Sequence, residues 1–179
     1  MPPSVLRLVT DEPVPCRKRG ECLVRVETAA VNRLEVKARG GALPRLMIKL
    51  PQVPGGDMAG VVVEADEGSA FRPGSQVMAL TDGFQPNTRH GTFAELVSVP
   101  VDQLAAMPPG LSFEEGASLP LVSLTAHQAL EAGEVRKGQR LLVHAGAGGV
   151  GSAAIQLAKA RGMHVTTTCS AANADFVKQ

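Results

Sequence analysis

The sequence predicts a β-rich domain of short strands followed by an α/β unit built on a pair of parallel strands. Three observations carry this. Between Glu21 and Val99, apolar and polar residues alternate in short runs separated by turns containing Gly and Pro. After Ser112 the apolar spacing changes to that of helices. A glycine-rich run, Gly146–Gly151, then follows directly on a short apolar strand and opens another helical stretch.

Taken in order, the run Glu21–Val31 puts Cys22, Val24 and Val26 on one face and Arg25 and Glu27 on the other, the pattern of a half-buried strand. Gly40-Gly41-Ala42-Leu43-Pro44 and Pro51–Gly56 are loops. Strands are expected at Ala59–Ala65, Gln76–Leu80 and Thr92–Val99, with turn residues at 71–75 and 81–91 between them. Strands this short fit a partly closed β-barrel or a sandwich. Ser112, with Glu115 three residues later, has the form of a capping box, so a short helix begins there and stops before Pro120. A second helix is expected over Val122–Ala132, ending at Gly133. Arg140–His144 reads as an apolar strand of the kind buried in a parallel sheet. Val150, Ala154, Leu157 and Ala158 follow at helical spacing, and His164–Thr168 closes a β-α-β unit. The composition shift near Ser112 divides the chain into residues 1–111 and 112–179.

Composition narrows the function classes. The chain has 179 residues, 18 Lys and Arg against 17 Asp and Glu, and a formal charge of +1. That balance exerts no general pull on nucleic acid, and Arg17-Lys18-Arg19 reads as a solvated turn. No apolar run approaches the roughly 20 residues that span a bilayer, so no transmembrane segment is expected. Met1-Pro2-Pro3-Ser4 has neither the basic nor the apolar region of a secretory signal. Cys16, Cys22 and Cys169 form no Cys-x-x-Cys and no zinc cage, which fits a reducing compartment. Tyr and Trp are absent, so this chain supplies no tyrosine proton donor.

The glycines define a candidate ligand site. Gly146, Gly148 and Gly151 have the G-x-G-x-x-G spacing and sit after a strand at the start of a helix. In that setting the first allows a tight turn, the second lets backbone approach a pyrophosphate, and the third allows close helix–strand packing. The helix N-terminus adds free N–H groups and a positive dipole end. With Gly149, Val150, Cys169 and Ser170 these are the candidate cofactor-binding residues. A site for NAD places an acid at the end of the second strand to bind the ribose 2′-hydroxyl. Here Thr168-Cys169-Ser170 stands at that point, with no acid before Asp175, so NADPH is the expected cofactor. No Arg or Lys lies between His164 and Val177 to meet the 2′-phosphate.

Four stretches, in this order, resemble the medium-chain dehydrogenase/reductase superfamily in its zinc-free quinone-oxidoreductase branch. They are Ala30–Glu35 (AVNRLE), Pro54–Val61 (PGGDMAGV), Leu119–Ala126 (LPLVSLTA) and Ala145–Gly151 (AGAGGVG). The ending HVTTTCSAANADFVK is similar to that of the plant chloroplast-envelope members. The resemblance implies a GroES-like β-barrel domain followed by a Rossmann domain, with the cofactor in a cleft between them. It implies hydride transfer to a quinone or an α,β-unsaturated ketone, with the proton of the second step coming from solvent or a nonaromatic group. By position it puts Asn32 near the nicotinamide and substrate and Thr125 against the nicotinamide side, the two candidate catalytic positions. The other readings are a loop amide capping a turn and a helix hydroxyl bonded to its own backbone. Asp57 resembles the family's acid at a strand entrance and is read as a structural turn carboxylate. His90, His127, His144 and His164 are read as packed or surface residues. Zinc-dependent relatives have Cys and His where this chain has Asn32 and Gly56, and the structural-zinc cysteines are missing, so no metal is expected.

Two departures shape the functional expectation. The residues after Ser112 supply only an incomplete Rossmann domain, and the chain reaches Gln179 within an expected helix. Val5–Leu8 resembles the family's second strand with no first strand before it. A fragment, or a reduced protein with a partner on its open sheet edge, are the two explanations, with a homodimer as the candidate assembly. The functional reading is an NADPH-dependent quinone or enone reductase, soluble or peripheral, in cytoplasm or plastid. The alternative is a noncatalytic fragment or interaction module that retains part of the reductase fold.

Overall fold

Alternation dictates the first strand. In β1 (Glu21–Ala29) Cys22 and Val24 are fully buried, and Arg25 and Glu27 pair with each other outside at 2.6 Å. The computed structural model describes residues 3–42, 51–81 and 91–179. Within them the chain packs as two units, Met1–Pro120 and Leu121–Gln179.

The first unit is an antiparallel sheet. β2 (Asp57–Glu64), β3 (Gln76–Leu80), β4 (Leu96–Pro100) and β5 (Leu104–Ala106) join β1 in the order β4-β1-β2-β3-β5. Register shifts at Leu23/Val24 and Val26/Thr28 put two bulges in the β1–β2 ladder, and bulges bend a sheet. Cys22, Val24, Met58, Val62, Val77, Val97 and Val99 form the core. Arg17 is anchored, against the solvated-turn reading: its guanidinium bonds Glu64 at 3.0 Å and Asp66 at 2.6 Å. Asp66 also accepts from the Gly20 N–H at 2.7 Å.

Among the described residues two α-helices belong to this unit. α1 (Arg33–Gly40) is one the sequence reading did not foresee. Gly40, read as loop, is its last residue, and Gly41 closes it with φ 79°, donating its N–H to the Ala38 carbonyl at 3.0 Å. α2 (Phe113–Ser118) has the expected capping box: Ser112 Oγ accepts from Glu115 N–H at 3.2 Å and Glu115 Oε2 accepts from Ser112 N–H at 2.9 Å. Ala117 of α2 packs with Ala59 and Met107.

Other expectations shift. Val5–Leu8 forms no strand: a 3₁₀ turn at Pro3–Val5 leads into irregular chain, with Leu6 and Leu8 exposed, and Pro13 and Pro15 remove ladder donors further on. The strand expected from Thr92 starts only at Leu96, because Thr92 and Phe93 donate their N–H groups to Gly55 and Pro54 of the preceding loop. Leu43, Pro44 and His90 lie outside the described residues.

The second unit follows the helical period. α3 (Pro120–Ala132) starts at the proline expected only to stop a helix, since Pro fits the first helical position, where no N–H is needed. β6 (Arg140–Val143) and β7 (His164–Thr167) pair in parallel, with Arg140 opposite His164 and Val143 opposite Thr167. α4 (Gly149–Ala160) connects them, and Leu130, Ala158 and Met163 are the buried core. The helix expected at the end is instead two 3₁₀ turns, Ala171–Asn173 and Phe176–Lys178.

Candidate functional site

The glycine run occupies the turn between β6 and α4. The left-handed backbone in it belongs to Ala145, at φ 57°, not to a glycine. Gly146 is needed for close approach: a Cβ there would press on the Thr167 side chain and lie 2.7 Å from Ile155 Cδ1. At Gly151 a Cβ would run into the Ala145 carbonyl, so this glycine brings α4 against the turn. A Cβ on Gly149 would lie 2.9 Å from Val122 Cγ1 of α3. Gly148 is the least crowded of the four. It is the N-cap of α4, exposed, and a Cβ on it would meet only the Ala145 carbonyl at 3.3 Å.

The start of α4 is a donor surface. Ser152 N–H reaches the Gly148 carbonyl at 2.8 Å, so the N–H groups of Gly149, Val150 and Gly151 precede the first intrahelical bond. The first turn carries no acidic side chain, and Gly149 and Val150 are exposed. An anion placed there meets backbone donors and the positive end of the helix. Beside the turn lies a mostly apolar groove of about 450 Å³, lined in part by Ala126, Leu130, Leu142, His144 and Val150.

The end of β7 braces the turn through residues that motif reading passed over. Thr168 Oγ1 accepts from Ala145 N–H at 3.2 Å and lies 3.1 Å from His144 Nδ1. Thr167 Oγ1 donates to the Val143 carbonyl at 2.7 Å. Their only sequence signal was the run of three threonines where β-branched residues were already expected. Cys169 and Ser170 follow, both exposed. Ser170 Oγ accepts from Asn173 Nδ2 at 3.1 Å, which leaves the hydroxyl proton of Ser170 available to an external acceptor.

The two candidate catalytic positions lie in different units. Thr125, on α3, donates its hydroxyl to the Leu121 carbonyl at 2.7 Å, the bond to its own helix that the sequence reading kept as the other possibility. Asn32 is the N-cap of α1 in the first unit. Its Nδ2 donates to Asp57 Oδ2 at 2.9 Å, and its N–H donates to Glu35 Oε2 at 2.8 Å. Asp57 and Glu35 are both buried, and Glu35 Oε1 accepts from Gly56 N–H at 3.3 Å. Thr92 Oγ1 donates to the Asp57 carbonyl at 2.9 Å, completing a buried polar cluster around the Pro54–Asp57 loop. A carboxylate only accepts, so Asp57 fixes which end of the Asn32 amide faces it.

The described histidines take surface positions. His144 and His164 are exposed, and His127 Nδ1 accepts from Arg161 at 2.7 Å, with Glu131 on the same guanidinium at 2.8 Å. Among the described residues no group of three or more His, Cys, Asp or Glu side chains could hold a metal ion. Among them, too, no helix is long and apolar enough to cross a membrane.

Comparison with known proteins agrees with this architecture. The alcohol dehydrogenase GroES-like domain family matches residues 18–109, slightly more than half of the chain. The chain is 42% identical over 175 residues to the chloroplastic quinone-oxidoreductase homolog of Spinacia oleracea, a match over 92% of this chain and 51% of that protein. It superposes with a TM-score of 0.90 and 35% identity on an alcohol dehydrogenase superfamily protein from Novosphingobium aromaticivorans, covering 96% of this chain and 52% of the other. The quinone oxidoreductase of Thermus thermophilus, a structure described together with its NADPH complex, superposes at 0.72 with 36% identity over 88% of this chain and 48% of that one. The chain thus spans about half the length of the curated relatives it matches. With the GroES-like sheet in its first unit and a Rossmann β-α-β unit in its second, the chain belongs to the alcohol dehydrogenase GroES-like domain family, within the medium-chain dehydrogenase/reductase superfamily.

Proposed function

We propose that the chain is the GroES-like domain and first nucleotide-binding unit of an NADPH-dependent reductase acting on a quinone or an α,β-unsaturated ketone. The observation that carries this is the donor surface at Gly148–Gly151: an uncovered glycine N-cap, three N–H groups free of intrahelical bonds, and no acid in the first turn. Those N–H groups would hold the diphosphate. Ser170, with no acid at its position and its proton free to donate, would meet the adenosine 2′-phosphate that a carboxylate there repels. NADPH supplies the hydride of such a reaction. Quinones and enones share a conjugated, electron-poor carbon that accepts it, and the similarity to quinone oxidoreductases supports that substrate class. In a chain without tyrosine the following proton comes from solvent or a nonaromatic group. Asn32 and Thr125 are the proposed positions near the nicotinamide.

The alternative is a noncatalytic module that keeps the turn without turnover. It is favoured by the two candidate catalytic side chains, each already bonded within its own unit, Asn32 to Asp57 and Thr125 to the Leu121 carbonyl. Titration of the 179-residue chain with NADPH and separately with NADH tests both, read by nicotinamide fluorescence that no Trp or Tyr obscures. Saturable binding preferring NADPH, with reduction of a quinone or enone, is the expected result. Binding without reduction of either class points to the module. Folded protein that binds neither nucleotide overturns the proposed cofactor site.

A further inference from the structure

Four successive residues leading into and through the glycine turn are tied to one residue at the end of β7. Thr168 N–H donates to the Val143 carbonyl at 3.2 Å, and its carbonyl accepts from Gly146 N–H at 3.0 Å. Between these, Thr168 Oγ1 accepts from Ala145 N–H at 3.2 Å and touches His144 Nδ1 at 3.1 Å. The backbone bonds continue a parallel ladder and any residue could make them. The hydroxyl contacts are specific to this side chain. One falls on His144 and the other on Ala145, the turn residue whose φ of 57° an alanine rarely adopts. The Ala145 carbonyl then accepts from Gly148 N–H at 2.9 Å, so the conformation of Ala145 is passed to the N-cap of α4.

We propose that Thr168 is a positioning residue for the nucleotide diphosphate: its hydroxyl holds Ala145 in the left-handed conformation that aims Gly148 and the free N–H groups of α4 at the ligand. The inference rests on the proposed cofactor site and adds a residue outside the glycine motif. A valine in its place keeps the strand shape but leaves Ala145 N–H without this acceptor. A positioning role makes a particular demand. The diphosphate is common to NADPH and NADH, so loss of the hydroxyl weakens both by the same factor and leaves their ratio unchanged.

The test is fluorescence titration of the 179-residue chain and its variants with NADPH and NADH, with circular dichroism to monitor folding. Thr168→Val and Thr168→Ala are expected to bind both nucleotides about three- to tenfold more weakly, the scale of one ordinary hydrogen bond at an exposed turn. Thr168→Ser, which restores the hydroxyl, should recover most of that loss. Three results overturn the proposal while leaving the cofactor site standing: unchanged affinity in the folded Val or Ala variants, a changed NADPH-to-NADH ratio, which would mean direct contact with the 2′-phosphate, or failure of the Ser variant to recover. Unfolding of both hydroxyl-free variants overturns it in favour of a purely structural role. A parent chain that binds neither nucleotide removes the cofactor site and this inference together.

Discussion

Gly146 and Gly148 are two residues apart and should fail in different ways when given a side chain. At Gly146 the added methyl meets Thr167 and Ile155 in the packed interior of the unit. Gly146→Ala should therefore lower unfolding stability by about 1–3 kcal/mol, the usual cost of overpacking, as read by denaturant melts. At Gly148 the methyl meets only the Ala145 carbonyl at 3.3 Å, and alanine is a poorer N-cap than glycine, so Gly148→Ala should lower stability by about 0.5–1 kcal/mol. Its larger effect should be to weaken NADPH binding, because the methyl stands where a phosphate has to approach backbone. The spacing rule located this turn, but it gave the tight-turn role to Gly146, whereas the strained backbone is at Ala145. Alanine carries no sequence signature for a left-handed conformation, so that feature was not legible. The cysteines give a second residue-level contrast. Burial raises the Cys22 thiol above its ordinary pKa, and the side chain is fully enclosed, while Cys16 and Cys169 are exposed. Iodoacetamide should modify two thiols in the native chain and the third only after unfolding.

Elements were legible where their signal was local and periodic. Gln76–Leu80 has the predicted bounds, and the α2 capping box forms with both bonds. Ser112→Ala removes one of them and should cost about 1 kcal/mol of stability, measured by thermal unfolding. α1 was missed for a physical reason: its inward residue is Glu35, buried and hydrogen-bonded to Asn32 and Gly56. A search for an apolar stripe passes over a helix held by a carboxylate. Within Arg17-Lys18-Arg19, Lys18 and Arg19 are exposed as read, but Arg17 was misread as solvated for a related reason, since its partners Glu64 and Asp66 are remote in sequence. The Gly20 N–H and then Arg17 hold the Asp66 carboxyl below its ordinary pKa. A carboxylate whose pKa is lower folded than unfolded stabilises the fold above its unfolded pKa of about 3.9, and this contribution is lost as pH falls through the folded value. Asp66→Asn should flatten the acid side of the stability profile below about pH 4 and leave its shape at neutral pH unchanged.

At the scale of the whole chain the two units differ in what holds them. Among the described residues the first buries nine in one cluster across its five strands, including Met58, Val62 and Val97. The second has a buried cluster of three, Leu130, Ala158 and Met163, and its parallel pair leaves Leu142 of β6 55% exposed. Strands of a parallel sheet are ordinarily covered on both faces, and a two-stranded pair contributes little stability by itself. Composition could not foresee this difference, because both halves are similarly apolar and only the pairing of strands decides how much is enclosed. Opening free energy follows enclosed apolar contact. In hydrogen exchange, β1 and β2 amides should outlast those of β6 and β7 by at least tenfold in the free chain. NADPH should then slow exchange across residues 144–152 and β7, because a ligand that binds only the folded unit stabilises it in proportion to its occupancy. Equal protection of β6 and β1 in the free chain would refute the ranking drawn from the cores. Unchanged exchange at 144–152 under saturating NADPH would place the nucleotide somewhere other than the glycine turn.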